Sequence, residues 1–222
     1  IINSFKLGVP ISLQNSLIAI SCIVLQGVVN TFGETVMAAY TVTMRIEQLV
    51  QQPFSSLGMA LTSYAGQNFG AQRIDRVKKG MHRATFMVLI FSLIMLPIFY
   101  IFGDKIIYCF VKEKDVISIG AKALRITSLF YFFLGMIYAP RSLLNGCGDT
   151  AFSMINGITE VVCRISFSLL FTSIATISIF GHTYNIGYWG IWLTTGLTWF
   201  TTALICFLRY KLGSWRKKMF AN

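Results

Sequence analysis

The sequence predicts an all-α membrane protein with six transmembrane helices, and three observations support this class. Of the 222 residues, 55 % are hydrophobic and 12 % are charged, and the mean hydropathy is +0.66. An average soluble domain carries about twice that fraction of charged residues. Six apolar segments follow one another, each long enough to cross a hydrocarbon core about 30 Å thick. Basic residues concentrate in particular connections between these segments.

The chain reads as one six-helix unit over 1–222. The segments lie at about 8–32, 35–70, 77–103, 115–145, 150–180 and 187–210, and a basic tail occupies 211–222. Short connections favour antiparallel packing of sequence neighbours. Because the sequence begins at Ile1 with no initiator methionine, basic leader or cleavage signal, we expect it to be part of a longer protein.

The first segment opens after Gly8 and Pro10, where proline suits the start of a helix. Small and polar residues recur on one face of it at helical spacing. A face of this kind packs against other helices or lines a cavity, because lipid favours apolar side chains. Its members are Ser12, Asn15, Ala19, Cys22, Gln26 and Asn30.

The second segment is polar in its middle, where Arg45, Glu47 and three glutamines precede Pro53. A charge near the bilayer centre costs several kcal/mol, so this stretch should face protein or water. Helical spacing places a polar face on one side, formed by Arg45, Gln48, Gln52, Ser56 and Met59. Pro53 removes a backbone donor and favours a kink. The pattern indicates a transport path; the alternative is that Arg45 and Glu47 pair with a neighbouring helix or reach toward the membrane surface.

The distribution of charge predicts the orientation. The connection after the second segment is rich in lysine and arginine, as is the tail, whereas the connection at 104–115 has balanced charge and the one near 181–187 has no lysine or arginine. By the positive-inside rule, the basic connection after the second segment and the basic tail are cytoplasmic, and both termini lie inside. The net charge of +11 therefore reflects topology and contact with anionic lipid headgroups, and it does not predict nucleic-acid binding.

The fourth and fifth segments contribute further polar residues. Tyr131 and Tyr138 share a face of the fourth with Thr127, Leu134, Arg141 and Asn145. The glycine-rich stretch at 145–150 favours a tight turn that caps the next helix. In the fifth, Glu160 and Arg164 are four residues apart and can form an ion pair within the helix. Alternatively, Glu160 is a protonatable carboxylate that faces a cavity.

Enzyme chemistry is absent from the sequence. The two histidines, His82 and His182, lie in polar connections, and the five cysteines form no CxxC pair. No nucleophile elbow, HExxH or Walker sequence occurs, so we expect no catalytic residues and no metal site.

These motifs resemble the C-terminal half of a multidrug and toxic compound extrusion (MATE) transporter, over essentially the whole chain. The two most specific stretches are GQNFGA at 66–71 and NGCGDT at 145–150. The supporting matches are GVPI at 8–11, NTFG at 30–33, RIE at 45–47, Pro53, Asp75 with Arg76, Glu160 with Arg164, and GYWGIW at 187–192.

The resemblance implies two six-helix lobes, of which this chain is the second. It implies alternating access in the plasma (inner) membrane and export of cationic, amphipathic drugs in exchange for Na⁺ or H⁺, with no other cofactor. The partners would be the N-terminal lobe, the lipid membrane and a small cationic substrate. Some members carry coupling carboxylates in the first and fourth helices of this lobe. The corresponding stretches here, 14–20 and 130–138, contain none, which favours a coupling aspartate in the other lobe.

The polar faces predict the residues that line the substrate cavity. They are Asn15, Gln26, Arg45, Gln48, Gln52, Tyr131, Tyr138, Glu160 and Arg164. Two alternatives stay open. A flippase for lipid-linked oligosaccharide, from a related superfamily, would need several cavity cations for its pyrophosphate, and the sequence offers Arg45, Arg141 and Arg164. A non-transporting partner module would not need polar faces on several helices.

Overall fold

The structure is a computed structural model that describes residues 2–173, 176–179, 182–185, 187–213 and 215. Side chains are described from residue 8 to 171 and from 187 to 213, together with those of Phe5 and Trp215. Residue 214 and residues 216–222 of the predicted tail lie outside the described residues.

The described chain is almost entirely helical, as the sequence predicts. Its helices are α1 (Ile2–Val29), α2 (Glu34–Gly70), α3 (Ile74–Tyr108), α4 (Lys114–Ser128), α5 (Tyr131–Gly146), α6 (Ala151–Ser173) and α7 (Gly190–Leu212). Single 3-10 turns at Asn30–Phe32 and Gly187–Trp189 precede α2 and α7. Two short strands, β1 (Thr176–Ile179) and β2 (His182–Asn185), form an antiparallel hairpin between α6 and α7.

Three elements differ from the sequence prediction. α1 begins at Ile2, so Pro10 lies inside the helix; such prolines are tolerated in membrane helices because neighbouring groups satisfy the freed carbonyl. The fifth segment leaves the helix at Ser173, and the hairpin replaces its last turns. The fourth segment is broken after Ser128 into α4 and α5, which meet at 50°. Hydropathy alone gave no sign of this break, because the two halves taken together are apolar enough for one membrane span.

Within the described residues, four helices are long and apolar enough to cross a membrane, and the bent α4–α5 pair makes a fifth crossing. α2 is the longest helix at 37 residues, about 55 Å, but its polar middle keeps it below the hydropathy of the others. The architecture is therefore six helical crossings, one of them polar and one broken.

α2 packs most closely against α5 and also contacts α3 and α4. Its buried residues recur every three or four positions along its length: Val36, Ala39, Tyr40, Thr43, Ile46, Glu47, Val50, Phe54, Gly58, Leu61, Ala65 and Asn68. The Thr62 hydroxyl donates to the Ser142 carbonyl of α5 at 3.0 Å. A Cβ added to Gly146 would overlap the Thr62 carbonyl oxygen. Small residues thus allow the two backbones to touch, as is common between membrane helices.

The turn between α5 and α6 is tight, as predicted. Gly148 adopts φ +78°, a conformation that glycine enters without a Cβ penalty. The Asp149 carboxylate accepts from Arg209, near the end of α7, at 2.9 Å. The turn is thereby fixed to the last helix of the bundle.

Candidate functional site

A cavity of about 490 Å³ opens between α1, α2, α5, α6 and α7. Its volume is in the range of small-molecule sites, about 300–1,000 Å³. Seventeen residues line it: Asn15, Ile18, Cys22, Tyr40, Met44, Glu47, Gln48, Gln51, Ser55, Leu134, Ile137, Tyr138, Arg141, Glu160, Arg164, Thr195 and Trp199. The lining combines aromatic rings, a thioether, amides and two residues of each charge.

α2 supplies the largest share of this lining, and its contribution follows the helical repeat. Tyr40, Met44, Glu47 with Gln48, Gln51 and Ser55 succeed one another at steps of three or four residues. Since residues at this spacing share one face of a helix, the polar middle of α2 is turned toward the cavity.

The two acidic residues of the cavity have different environments. On α6, the Arg164 guanidinium donates to the Glu160 carboxylate at 2.9 Å, with both side chains less than a tenth exposed. On α2, Glu47 is 8 % exposed, and its Oε1 atom is buried without a hydrogen-bond partner among the described residues. Glu160 is therefore neutralised by its own helix, whereas Glu47 is not.

The α5 side of the cavity is an aromatic and cationic pair. The Arg141 guanidinium lies 4.9 Å from the centre of the Tyr138 ring. The Tyr138 hydroxyl donates to Gln51 Oε1 of α2 at 3.3 Å. This contact orients the ring across the α2–α5 boundary. Trp199 of α7 lines the same cavity.

Of the nine residues predicted to line a cavity, the structure brings five together there: Asn15, Gln48, Tyr138, Glu160 and Arg164. It places the other four elsewhere. Gln26 of α1 donates to Asn30 Oδ1 in the following 3-10 turn at 3.1 Å. Arg45 is exposed, with Nη1 3.4 Å from Gln48 Oε1. Gln52 is exposed on α2. Tyr131 is fully buried in the apolar core between Phe99 and Trp199.

The physical reason why predicted residues lie away from this cavity differs between the helices. On α2 the prediction chose Arg45, Gln48 and Gln52 as one face, whereas the cavity face carries Gln48 and Gln51. These faces differ by about 100°, the rotation per residue, and glutamines at both 51 and 52 made either choice consistent with the sequence. Tyr131 shares a helical face with Tyr138 only if the fourth segment is continuous, and Tyr131 stands at the start of α5, directly after the break.

Several lining residues were not predicted. Glu47 was noted as a charge but not placed in the cavity, and Arg141 was noted on the polar face of the fourth segment. The repeat from Tyr40 through Met44 to Ser55 was the available signal on α2. Trp199 and Thr195 of α7 were not predicted, because the sequence analysis took the cavity lining from the polar faces of other helices.

A metal site built from histidine, cysteine or carboxylate side chains is not found among the described residues. Two further cavities lie on the other side of α5, each of about 320–330 Å³. One is walled almost wholly by apolar side chains, including Phe132, Phe133 and Phe207. The mixed polar and aromatic lining makes the 490 Å³ cavity the candidate site.

Comparison with known proteins gives consistent results. The MatE family model matches residues 10–170. The probable multidrug resistance proteins YpnP and YoeA of Bacillus subtilis are 26 % and 25 % identical over 95 % and 96 % of this chain, and the matches cover 45 % and 44 % of those proteins. A crystal structure of MATE in the bent conformation superposes with a TM-score of 0.85 at 21 % identity, over 98 % of this chain and 47 % of that one. The chain thus spans about half the length of the curated relatives it matches.

Proposed function

Since this chain belongs to the MatE family of multidrug efflux transporters, we propose that it is the C-terminal lobe of an antiporter that exports cationic, amphipathic compounds in exchange for Na⁺ or H⁺. The observation that carries the proposal is the 490 Å³ cavity of mixed lining within one six-helix bundle. Members of this family are transporters and not enzymes, in agreement with the sequence.

The cavity offers the contacts that a flat organic cation needs. The aromatic residues Tyr40, Tyr138 and Trp199 line it, together with the polarisable sulfur of Met44. Aromatic faces attract a cation by about 0.5–2 kcal/mol each. Gln48 and Gln51 add amide oxygens. This combination favours breadth of substrate, since few of these contacts require a fixed geometry.

The charge in the cavity favours a drug cation over a pyrophosphate-linked substrate. Arg164 is already bound to Glu160 at 2.9 Å. The remaining charged residues of the lining are one cation, Arg141, and one acid, Glu47, so the cavity has no excess of positive charge. A flippase would need several uncompensated cations around the phosphates. The lining therefore supports the antiporter more than the flippase, and several polar helix faces argue against a non-transporting partner module.

The coupling ion, the partner lobe and the membrane are further parts of the proposal. Relatives about twice the length of this chain support an N-terminal six-helix lobe as its partner. The basic connection after α2 supports a location in the inner membrane with both termini cytoplasmic. Transport would then proceed by alternating access of the cavity to the two sides, within a lipid bilayer.

The test is efflux of a fluorescent cationic dye from membrane vesicles that contain the transporter with both lobes. An inward Na⁺ gradient and an inward pH gradient are imposed separately. Dye movement driven by one of them is the expected result and identifies the coupling ion. No movement under either gradient would overturn the antiporter and favour the flippase, which is then tested with a fluorescent lipid-linked oligosaccharide.

A further inference from the structure

A groove runs along one face of the bundle, with α5 as its floor and with α3 and α7 as its walls. Two cavities of about 330 and 320 Å³ form its two ends. They adjoin each other, because Thr85 of α3, Met136 of α5 and Phe207 of α7 line both. We refer to the two cavities together as the α3–α7 groove.

The two ends of the α3–α7 groove differ in chemistry. One end carries Lys78 and His82, near the start of α3, and Lys211, near the end of α7. Among the described residues, no carboxylate lines either end. The groove is thus amphipathic along its length, with positive charge at one end only. The other end is walled by the apolar side chains of Phe132, Phe133, Phe200, Ala203 and Leu204.

The α7 wall runs from the membrane surface inward along one helix face. Phe200, Leu204, Phe207 and Lys211 succeed one another at steps of three or four residues, so they share that face. The rise from Phe200 to Lys211 is about 16 Å of helix, which is roughly half the thickness of the hydrocarbon core. The groove therefore extends across one leaflet, which is the cytoplasmic leaflet in the orientation proposed above.

The walls of the groove are open toward the surrounding membrane. Phe200 is 41 % exposed, Leu204 is 46 % exposed and Phe207 is 37 % exposed. Both α3 and α7 are among the helices apolar enough to cross a membrane. Since the hydrocarbon region holds no water that could fill a groove, an acyl chain is the material that suits its apolar end.

The basic end of the groove is available to an anion. Lys78 Nζ lies 4.0 Å from Asp75, whose side chain is 93 % exposed. An exposed ion pair of this kind stabilises little, so a phosphate can displace the carboxylate. The Lys211 ammonium lies 5.5 Å from the centre of the Phe207 ring, where the two ends of the groove meet. A lysine ammonium carries three donors, and contact with a ring face leaves donors for a phosphate.

We propose that the α3–α7 groove binds one anionic phospholipid. Its phosphate would lie between Lys78 and Lys211, with His82 as a further donor, and one acyl chain would lie against Phe132 and Phe133 of α5. Basic pockets between transmembrane helices recognise anionic headgroups, and charge-assisted hydrogen bonds to a phosphate are the strong ones. A protein partner fits this groove less well, because lysine is depleted at protein interfaces.

α5 separates this lipid from the candidate cavity. Phe132, Phe133 and Met136 line the groove, whereas Ile137 and Tyr138 line the 490 Å³ cavity. A lipid in the groove therefore fills the space directly behind the cavity wall. Its binding requires no transport, so the site can be tested independently of the proposed function.

The test is native mass spectrometry of the purified, delipidated transporter with both lobes, titrated with dioleoyl phosphatidylglycerol or dioleoyl phosphatidylcholine. The two lipids share their acyl chains and differ in headgroup charge. We expect the first phosphatidylglycerol to bind about tenfold more tightly than the first phosphatidylcholine, and Lys78→Gln/Lys211→Gln to remove this preference. The control Lys79→Gln/Arg83→Gln removes the same charge from exposed positions of α3 that do not line the groove, and it should keep the preference.

A second pair of variants tests the apolar end. Thr85→Trp places an indole where the two ends of the groove meet, whereas Met87→Trp places one on the exposed surface of the same helix. We expect Thr85→Trp to weaken binding of both lipids about tenfold, because the ring fills the space of the acyl chain, and Met87→Trp to match the parent. The unfolding midpoint of each variant is measured, and the lysine variants decide the test if Thr85→Trp does not fold.

The outcomes are independent of dye efflux, so the lipid site and the antiporter can fail separately. Equal affinity of the parent for the two lipids would overturn the site. An equal loss of preference in the two charge variants would also overturn it, because general attraction to the basic surface would then account for binding. Parent-like lipid binding by folded Thr85→Trp would place the lipid outside the groove. No bound lipid in the parent would refute the site and favour the N-terminal lobe as the occupant of the groove.

Discussion

The Arg164 guanidinium donates to the Glu160 carboxylate across one turn of α6, at 2.9 Å, in the wall of the candidate cavity. Removing one member of a buried ion pair leaves the other charge uncompensated, which costs about 3–5 kcal/mol. Removing both members is often close to neutral. The pair can therefore be tested as a stabilising contact separately from any role in transport.

Glu160→Gln is expected to destabilise the transporter, because it strands the Arg164 charge in a buried position. The midpoint of thermal unfolding in detergent should fall by several degrees. The double variant Glu160→Gln/Arg164→Met should recover most of that loss. If the double variant is no more stable than Glu160→Gln, the ion pair is not the source of the effect. If the Glu160→Gln variant still exports dye, the Glu160–Arg164 pair has a structural role only.

Gly146→Ala is expected to force α2 and α5 apart, because the added Cβ would overlap the Thr62 carbonyl and approach Ala65. Overpacking of this kind costs roughly 1–3 kcal/mol. The unfolding midpoint should fall, while Gly70→Ala, which meets nothing within 4 Å, should leave it nearly unchanged. Equal midpoints for the two variants would contradict the close approach of these helices.

Tyr138→Leu is expected to weaken binding of a cationic dye several-fold, because it removes a π face from the cavity wall. Tyr138→Phe removes only the hydroxyl that bonds to Gln51 at 3.3 Å and should have a smaller effect. The readout is the dye concentration at half-maximal efflux. A larger effect of Tyr138→Phe than of Tyr138→Leu would show that the hydroxyl, and not the ring, makes the contact.

The native cysteines report access to the cavity. Cys22 lines it, Cys206 is fully buried, and Cys109 is exposed beyond the end of α3. A water-soluble maleimide should therefore modify Cys109 and Cys22 but not Cys206, as measured by mass spectrometry of peptides. Saturating dye should protect Cys22 and leave Cys109 unaffected. Modification of Cys206 as fast as that of Cys22 would contradict the packing of α7 against α6.

Helical spacing in the sequence predicts part of the cavity lining. Asn15, Tyr138, Glu160 and Arg164 were placed on polar faces by helical spacing, and they line the cavity. Spacing places residues on a face only relative to one another. It does not state which of two adjacent polar faces turns inward, so Gln52 was chosen on α2 where Gln51 is the lining residue.

Composition and hydropathy by themselves determined the all-helical membrane class and the succession of six crossings, because each crossing must bury an apolar stretch about 30 Å long. The GQNFGA and NGCGDT stretches pointed to the family, which the comparisons confirm. Only the tertiary structure decided that the fourth crossing breaks after Ser128. It also decided that Glu47 and Tyr131, 84 positions apart in the chain, lie close enough to share Thr127 as a neighbour. Such a meeting depends on how α2 packs across the break, and no local pattern in either helix carries that information.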